Sequence, residues 1–265
     1  MDALTRLVEV LKAADSCLVA FSGGVDSTLL AHAAVAAYSD RTRAVMIKNE
    51  TIPLHEVEGA ALIASGIGIP FEVIEEDVLC RPEFASNPRD RCAICRRISI
   101  PVLIGRASEL GFARVADGAN MDDMEEHRPG LAVSDEHGIW HPLIEAGISK
   151  SDVRAVLKRI GSPVHDKPST PCLATRIPYG EWITPEKLAL IDRIETGLRA
   201  FGFRQNRLRL HGAGASPFIG VIEVERPMDA LERWDDILML APEVRLVLDP
   251  KGYRTGALDE STKTP

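Results

Sequence analysis

Three cysteines and one glycine-rich turn hold the residue types in this chain that could do chemistry. Cys172 stands in a proline-broken stretch, Asp166-Lys-Pro-Ser-Thr-Pro-Cys-Leu-Ala-Thr-Arg-Ile-Pro-Tyr-Gly180, between Lys167 and Arg176. A loop cysteine beside cations has the electropositive setting that favours thiolate, the nucleophilic form. Cys92 and Cys95 form a CxxC within Arg91-Cys-Ala-Ile-Cys-Arg-Arg97. No second CxxC completes a tetrahedral zinc site, so zinc, redox and iron–sulfur chemistry stay open, as does an ordinary helix start flanked by solvated arginines. Cys17 and Cys80 follow apolar segments and read as packing residues. Cys92, Cys95 and Cys172 thus leave three available thiolates, and three ligands on a cubane leave one iron open to an exogenous sulfide.

The turn is Ser22-Gly23-Gly24-Val25-Asp26-Ser27, followed by Thr28. It lies between a short apolar run and an alanine-rich helical segment, giving the order strand, turn, helix. Adjacent glycines remove Cβ atoms that would hold a phosphate away from backbone N–H groups. Asp26, Ser27 and Thr28 fall in the first helical turn, where orphan N–H groups and the helix dipole attract an anion. The hydroxyls of Ser22, Ser27 and Thr28 add donors. A Walker loop is excluded, because no Gly-Lys-Ser/Thr follows.

The elements that must position these residues alternate. Helices are predicted over 3–14, from the turn to about 38, over 54–65, 96–110 and 150–160, with Pro101 setting a start or a kink. Strands are predicted over 16–21, 43–47, 70–74 and 113–116. This alternation implies an α/β fold, a doubly wound parallel sheet, with ligands beyond the carboxyl ends of its strands. Residues 161–181 are irregular and read as a boundary or a functional loop. A smaller C-terminal α+β domain follows. Thr184-Pro185-Glu186 opens a helix, strands fall at 207–211, 218–224 and 244–248, and one helix covers 228–240. The expected organisation is a nucleotide domain over 1–165, a linker with Cys172 over 166–181, and a C-terminal domain over 182–265.

With 265 residues, 45% hydrophobic and 26% charged, the chain can bury a large core that tends to divide in two. No apolar run spans a bilayer and the start reads as an amphipathic helix, so a cytoplasmic location without a membrane partner is expected. The formal net charge of −8 counts against a polynucleotide partner, since phosphate neutralisation supplies most of that affinity. Five cysteines, an odd number, argue against a disulfide framework.

SGGxDS resembles the PP-loop of the ATP pyrophosphatase superfamily, of adenine nucleotide alpha hydrolase type, whose members split ATP between the α- and β-phosphates and adenylylate an oxygen. The resemblance narrows along the chain, through Asp117-Gly-Ala-Asn-Met-Asp-Asp123, Arg128-Pro-Gly130, His141-Pro-Leu143, Asp166-Lys-Pro168, Pro171 to Gly180, and Arg207-Leu-Arg-Leu-His-Gly212. In order, these are similar to the LarE-type ATP-dependent sulfur transferases of nickel-pincer nucleotide cofactor biosynthesis, which mature lactate racemase and related enzymes. The resemblance implies a pyridinium biscarboxylic acid mononucleotide substrate, adenylylated and converted to a thiocarboxylate. It implies that Ser22, Gly23, Gly24, Asp26, Ser27 and Thr28 hold the ATP phosphates with Mg²⁺, and that Gly118 and Asn120 line the nucleotide site. Arg207 and Arg209, on one strand face, would bind substrate phosphate, and Arg176 would contact substrate near Cys172. Glu195 and Glu223 are candidate metal ligands. The sulfur would come from a [4Fe–4S] cluster on Cys92, Cys95 and Cys172, or from Cys172 itself, consumed to dehydroalanine. The family likeness also implies a homo-oligomer built through the C-terminal domain. A PP-loop tRNA thiolase and an amide-forming ligase are the competing enzymes, and a non-catalytic nucleotide- or cluster-binding regulator the competing class.

Overall fold

A computed structural model describes residues 2–125, 129–212 and 218–254. The chain forms two compact units, the first from Met1–Val78 and Asp90–Ser169, the second from Leu79–Arg89 and Thr170–Pro265. The sequence did not single out Leu79–Arg89, which leaves the first unit for the second and returns.

The first unit is built on β1 (Cys17–Ala20), β2 (Thr42–Lys48), β3 (Phe71–Glu75) and β4 (Arg114–Ala116). They form one sheet in the order β3-β2-β1-β4, every neighbour parallel. Such a sheet is covered on both faces, so its inner strands are apolar throughout. Cys17, Leu18 and Val19 of β1 are accordingly all buried. Around it lie α1 (Ala3–Leu11), α2 (Val25–Tyr38), α3 (Leu54–Ile67), α4 (Arg91–Glu109) and α5 (Lys150–Arg159). Leu29, Leu30, Ala31, Ala33 and Ala34 of α2 are fully buried, and the small alanines among them permit close packing of its backbone. Helix α5 starts at a capping box in which Ser149 and Asp152 satisfy each other's backbone N–H. The predicted doubly wound parallel fold is therefore observed, and its strand order puts a switch point between β1 and β4.

Helix α4 starts at Arg91, five residues before the predicted 96, and runs through Pro101. Proline removes one donor and crowds the preceding turn, a cost offset here by the packing of buried Ile100 and Leu103. The CxxC therefore lies inside the first two turns.

In the second unit, β5 (Asn206–His211), β6 (Ile219–Val224) and β7 (Arg245–Leu248) form a sheet in that order, the first pair antiparallel and the second parallel. Against it packs α6 (Pro185–Ala200), opened by Thr184, whose hydroxyl accepts from the Lys187 N–H, and by Pro185 in the first position. Leu208 and Leu210 of β5 and Ile191, Ile194 and Leu198 of α6 are fully buried. The single helix predicted over 228–240 is instead two, Pro227–Glu232 and Trp234–Leu238. They part at Arg233, which leaves helical geometry with ψ of 20° as its guanidinium lies 5.6 Å from the Phe201 ring centroid.

Candidate functional site

The glycine turn connects β1 to α2. Gly23 has φ of 67°, and a Cβ there would sit 2.9 Å from the Ala60 Cβ of α3, so glycine is required by both backbone and space. Gly24 precedes α2 and gives it no side-chain cap, leaving first-turn N–H groups for another acceptor. Ser22 and Ser27 share a hydroxyl contact of 3.2 Å, and Ser27 donates to the Gly24 carbonyl at 3.2 Å. Thr28 is fully buried and its Oγ1 has no partner among the described residues.

The segment after β4 closes on this turn. A Cβ on Gly118 would lie 2.9 Å from the Ser27 nitrogen and 3.1 Å from the Asp26 carbonyl carbon, so only glycine lets the two segments meet. Asn120, 1% exposed, donates from Nδ2 to Asp26 Oδ1 at 3.3 Å. The structure thus brings Gly118 and Asn120 together with Asp26 and Ser27. The other Asp26 oxygen accepts from Lys150 Nζ. A second lysine, Lys167, donates to the Gly23 carbonyl at 3.1 Å and to Glu56 at 2.8 Å. Its own backbone is held by Arg154 of α5, which donates to the His165 and Lys167 carbonyls.

Asp117, also beyond β4 and itself buried, is the hub of a charge group. It accepts from His141 Nδ1 at 2.7 Å, from Arg96 at 3.1 Å and from the Ala119 N–H at 3.0 Å. Burial pushes its carboxyl upward, but the His141 bond and the Arg96 charge outweigh that and hold it below its ordinary value. Burial pushes His141 downward, yet its bond to Asp117, with Asp135 beyond, holds it above the ordinary histidine value. Through Arg96 this group reaches the CxxC. Cys92 is exposed and Cys95 half-buried, one helical turn apart and so on neighbouring positions of one helix face. Asn49, directly after β2, donates to Cys95 Sγ at 3.9 Å, which sets this thiol at the carboxyl end of the sheet, as the glycine turn is. Cys17 is buried as expected, its thiol pushed up to about 12 by burial. Cys80, read as a packing residue, is exposed, because the apolar run before it ends in a turn at the surface rather than in a strand.

In the second unit Cys172 immediately precedes a short 3-10 turn, Leu173–Arg176. Arg176, 3% exposed, makes a two-pronged pair with Glu195 of α6 at 2.8 and 2.9 Å. Its remaining nitrogen donates to the Pro171 carbonyl at 2.7 Å, the Cys172 carbonyl at 3.2 Å and Thr175 Oγ1 at 2.9 Å. Thr175 bonds the same Cys172 carbonyl from its hydroxyl and its N–H. Arg176 thus fixes the backbone that carries Cys172.

Arg207 and Arg209 share one face of β5 opposite Leu208 and Leu210, and both are buried, at 5% and 6% exposure. The alternative of a solvated strand face is overturned. Arg209 donates to Glu223 of β6 at 3.1 Å and to the Thr175 carbonyl at 2.9 Å. Arg207 lies 4.8 Å from the Tyr253 ring centroid and donates to its hydroxyl at 2.9 Å. Burial and the neighbouring Arg209 charge lower the Arg207 pKa. Arg207 Nε, Arg209 Nη2 and Glu223 Oε2 are buried without a partner among the described residues. Glu195 and Glu223, the candidate metal ligands, are engaged otherwise. Glu195 takes Arg176 and the Leu208 N–H, and Glu223 takes Arg209. Among the described residues no group of three or more His, Cys, Asp or Glu gathers in metal-binding geometry, and no helix is long and apolar enough to cross a membrane. Arg128 lies outside the described residues.

Sequence reasoning assigned no role to Lys150, Asp117, His141 or Tyr253, and used Lys167 only as a cation beside Cys172. Lys150 had a visible signal, a cation opening a helix against the macrodipole.

An all-parallel sheet with SGGxDS between its first strand and helix, at the switch point, defines a PP-loop fold of the ATP pyrophosphatase superfamily. No family model matches the chain. Pyridinium-3,5-bisthiocarboxylic acid mononucleotide synthase of Lactiplantibacillus plantarum is 30% identical over 254 residues, covering 96% of this chain and 88% of that protein. An uncharacterized protein of Synechocystis is 34% identical over 254 residues, 92% of each chain. The GMP synthase of Aeropyrum pernix is 28% identical over 219 residues, 75% of this chain and 42% of that enzyme. The chain belongs to the LarE-type family of ATP-dependent sulfur transferases.

Proposed function

We propose that this protein adenylylates a carboxylate of pyridinium-3,5-biscarboxylic acid mononucleotide with ATP and replaces the activated oxygen by sulfur. The observation that carries the reading is the buried arginine pair. Guanidinium nitrogens of Arg207 and Arg209 that lack a partner among the described residues fit the phosphate of a mononucleotide, which accepts several charge-assisted bonds. Family membership, through a relative whose name is that of the bisthiocarboxylic acid mononucleotide synthase, supplies the substrate class.

Ser22, Gly23, Gly24, Asp26, Ser27 and Thr28 hold the ATP phosphates, with Gly118 and Asn120 beside them. A carboxylate is a poor electrophile because oxide would have to leave. Transfer of AMP turns that oxygen into a good leaving group, and first-turn N–H groups of α2 meet charge on the departing pyrophosphate. Asp26 is a donor of the kind Mg²⁺ takes beside phosphate oxygens, and the ion would add charge neutralisation there. Arg176 keeps the Cys172 backbone in place while the mixed anhydride waits for sulfur.

For the sulfur source we favour Cys92, Cys95 and Cys172 as the thiolates of a [4Fe–4S] cluster. The i, i+3 spacing of Cys92 and Cys95 at the sheet's carboxyl end fits two soft ligands, and a sacrificial route needs only Cys172. Such a cluster, when bound, supplies an open iron for the transferable sulfide. Homo-oligomerisation through 182–265 and action in the cytoplasm complete the proposal.

Incubation with ATP and the biscarboxylic acid mononucleotide should release pyrophosphate and give a product with sulfur in place of oxygen, and Cys172→Ala should keep ATP binding and lose that product. Full sulfur transfer by Cys172→Ala overturns the assignment. Anaerobic protein should contain iron and acid-labile sulfide. Iron-free, active protein that loses the mass of hydrogen sulfide at Cys172 would instead establish the sacrificial route.

A further inference from the structure

Asn49 is a buried amide to which adenylylation as described gives no task. It directly follows β2 and is 8% exposed. Its Oδ1 accepts from the Thr51 N–H at 3.0 Å and from the Thr51 hydroxyl at 2.7 Å, and Thr51 is itself buried. A backbone N–H can only donate, so the amide oxygen belongs on this side and cannot be exchanged for the nitrogen. The Ile52 N–H bonds the Asn49 carbonyl at 3.0 Å and closes the same turn from the backbone. The side chain is thus held at its oxygen, and its NH₂ faces the other way.

There it meets Cys95 Sγ of α4, at 3.9 Å. An amide nitrogen carries two donors. Cys95 takes one, and the other has no partner among the described residues. The chain's other asparagines direct theirs to oxygen, Asn87 to the Ile177 and Pro178 carbonyls, Asn120 to Asp26 and Asn206 to the Phe203 carbonyl. A thiol accepts weakly, and a buried donor without a full partner is costly. A thiolate on iron carries charge, which makes the same contact a charge-assisted bond. An inorganic sulfide of a cluster is an acceptor for the remaining N–H.

We infer that Asn49 is a positioning residue for the iron–sulfur chemistry, donating one N–H to the Cys95 sulfur and offering the other to a sulfide of the cluster. This rests on the cluster proposed above. Hydrogen bonds to the sulfurs favour the reduced, more negative state and raise its reduction potential. They also orient a ligand, as outer partners of metal sites do.

The test uses the full chain, purified anaerobically, with asparagine labelled by the heavy nitrogen isotope. In the reduced wild-type protein, pulsed electron paramagnetic resonance should show the labelled nitrogen coupled to the cluster. That signal is Asn49's, since the other asparagines face oxygen, and it needs no variant that might fail to fold. Asn49→Asp keeps the Thr51 bonds and removes both donors. It should weaken iron retention against a chelator by about 10–100-fold, the usual loss for an outer partner of a metal site, and move the midpoint potential to a more negative value. Asn49→Leu, which adds no charge, should move the potential the same way. A residue that only braces the turn would lower unfolding stability and leave the potential where it was. Iron-loaded protein without the nitrogen coupling, or either variant at the wild-type potential, overturns the inference. Wild-type protein that binds no iron overturns the cluster reading itself and this inference with it.

Discussion

The two units solve the burial of charge in opposite ways. Around the glycine turn the charges cancel, Asp26 against Lys150, Glu56 against Lys167, and Asp117 and Asp135 against Arg96 and His141. In the second unit three guanidiniums, of Arg176, Arg207 and Arg209, stand against two carboxylates, of Glu195 and Glu223, all nearly buried. Among the described residues, nitrogens of Arg207 and Arg209 remain there without a partner. Neutral pairing keeps the turn in shape before any ligand arrives. A positive excess with orphaned donors is instead an arrangement that an anion completes, since buried unsatisfied groups are costly.

The largest break in this contrast should come from Glu195→Ala, which strands the buried Arg176 charge and frees the Cys172 backbone. A loss of about 3–5 kcal/mol, typical for removing one partner of a buried pair, should appear in urea unfolding. Loss below about 1 kcal/mol, the range of a surface pair, would show that the pair does not organise the loop. Arg207→Met should separate binding from stability. Mononucleotide affinity should fall by about 10–100-fold, as for a lost charge-assisted bond, while stability stays level or rises, because an apolar isostere carries no desolvation cost. Calorimetric binding and unfolding on the same sample check this.

On the paired side, Gly118→Ala forces a Cβ against the Ser27 nitrogen and should cost about 1–3 kcal/mol, as overpacking does, with weaker ATP binding. The smallest effect is a pH slope. His141 titrates above its ordinary value of 6.5, so its contribution is complete below that value and is lost as pH rises through the raised one. Asp117 titrates below its ordinary 3.8, so its own contribution is lost only in acid and does not intrude near neutrality. The first unit should therefore melt lower on going from pH 6 to pH 8, and His141→Gln should flatten that slope.

Local chemistry was legible in the sequence. The inner strands β1 and β2 announced themselves by apolar runs, over Cys17–Ala20 and 44–47, because a sheet covered on both faces tolerates little else there. Gly23 and Gly24 announced a turn, and Thr184-Pro185 a helix start. What sequence could not show depends on distant partners. Arg207 and Arg209 alternate as a solvated strand face would, and only Glu223, Thr175 and Tyr253 make that face an interior. The start of α4 was misplaced because Pro101 looked like a beginning, whereas the helix begins at Arg91. Lys150 meets Asp26 across more than a hundred residues, and no local pattern encodes such a pairing.

The excursion of Leu79–Arg89 decides how the chain can be cut. Within the second unit, the Ile183 N–H bonds the Ala85 carbonyl and the Gly180 N–H the Asn87 carbonyl, and Asn87 Nδ2 holds the Ile177 and Pro178 carbonyls. A fragment ending at Ser169 keeps Phe84, 2% exposed in the whole chain, without the unit it belongs to, and a fragment starting at Thr170 lacks the segment altogether. During synthesis the excursion leaves the ribosome long before the rest of its unit, so it must wait unpaired until the final third of the chain has been made.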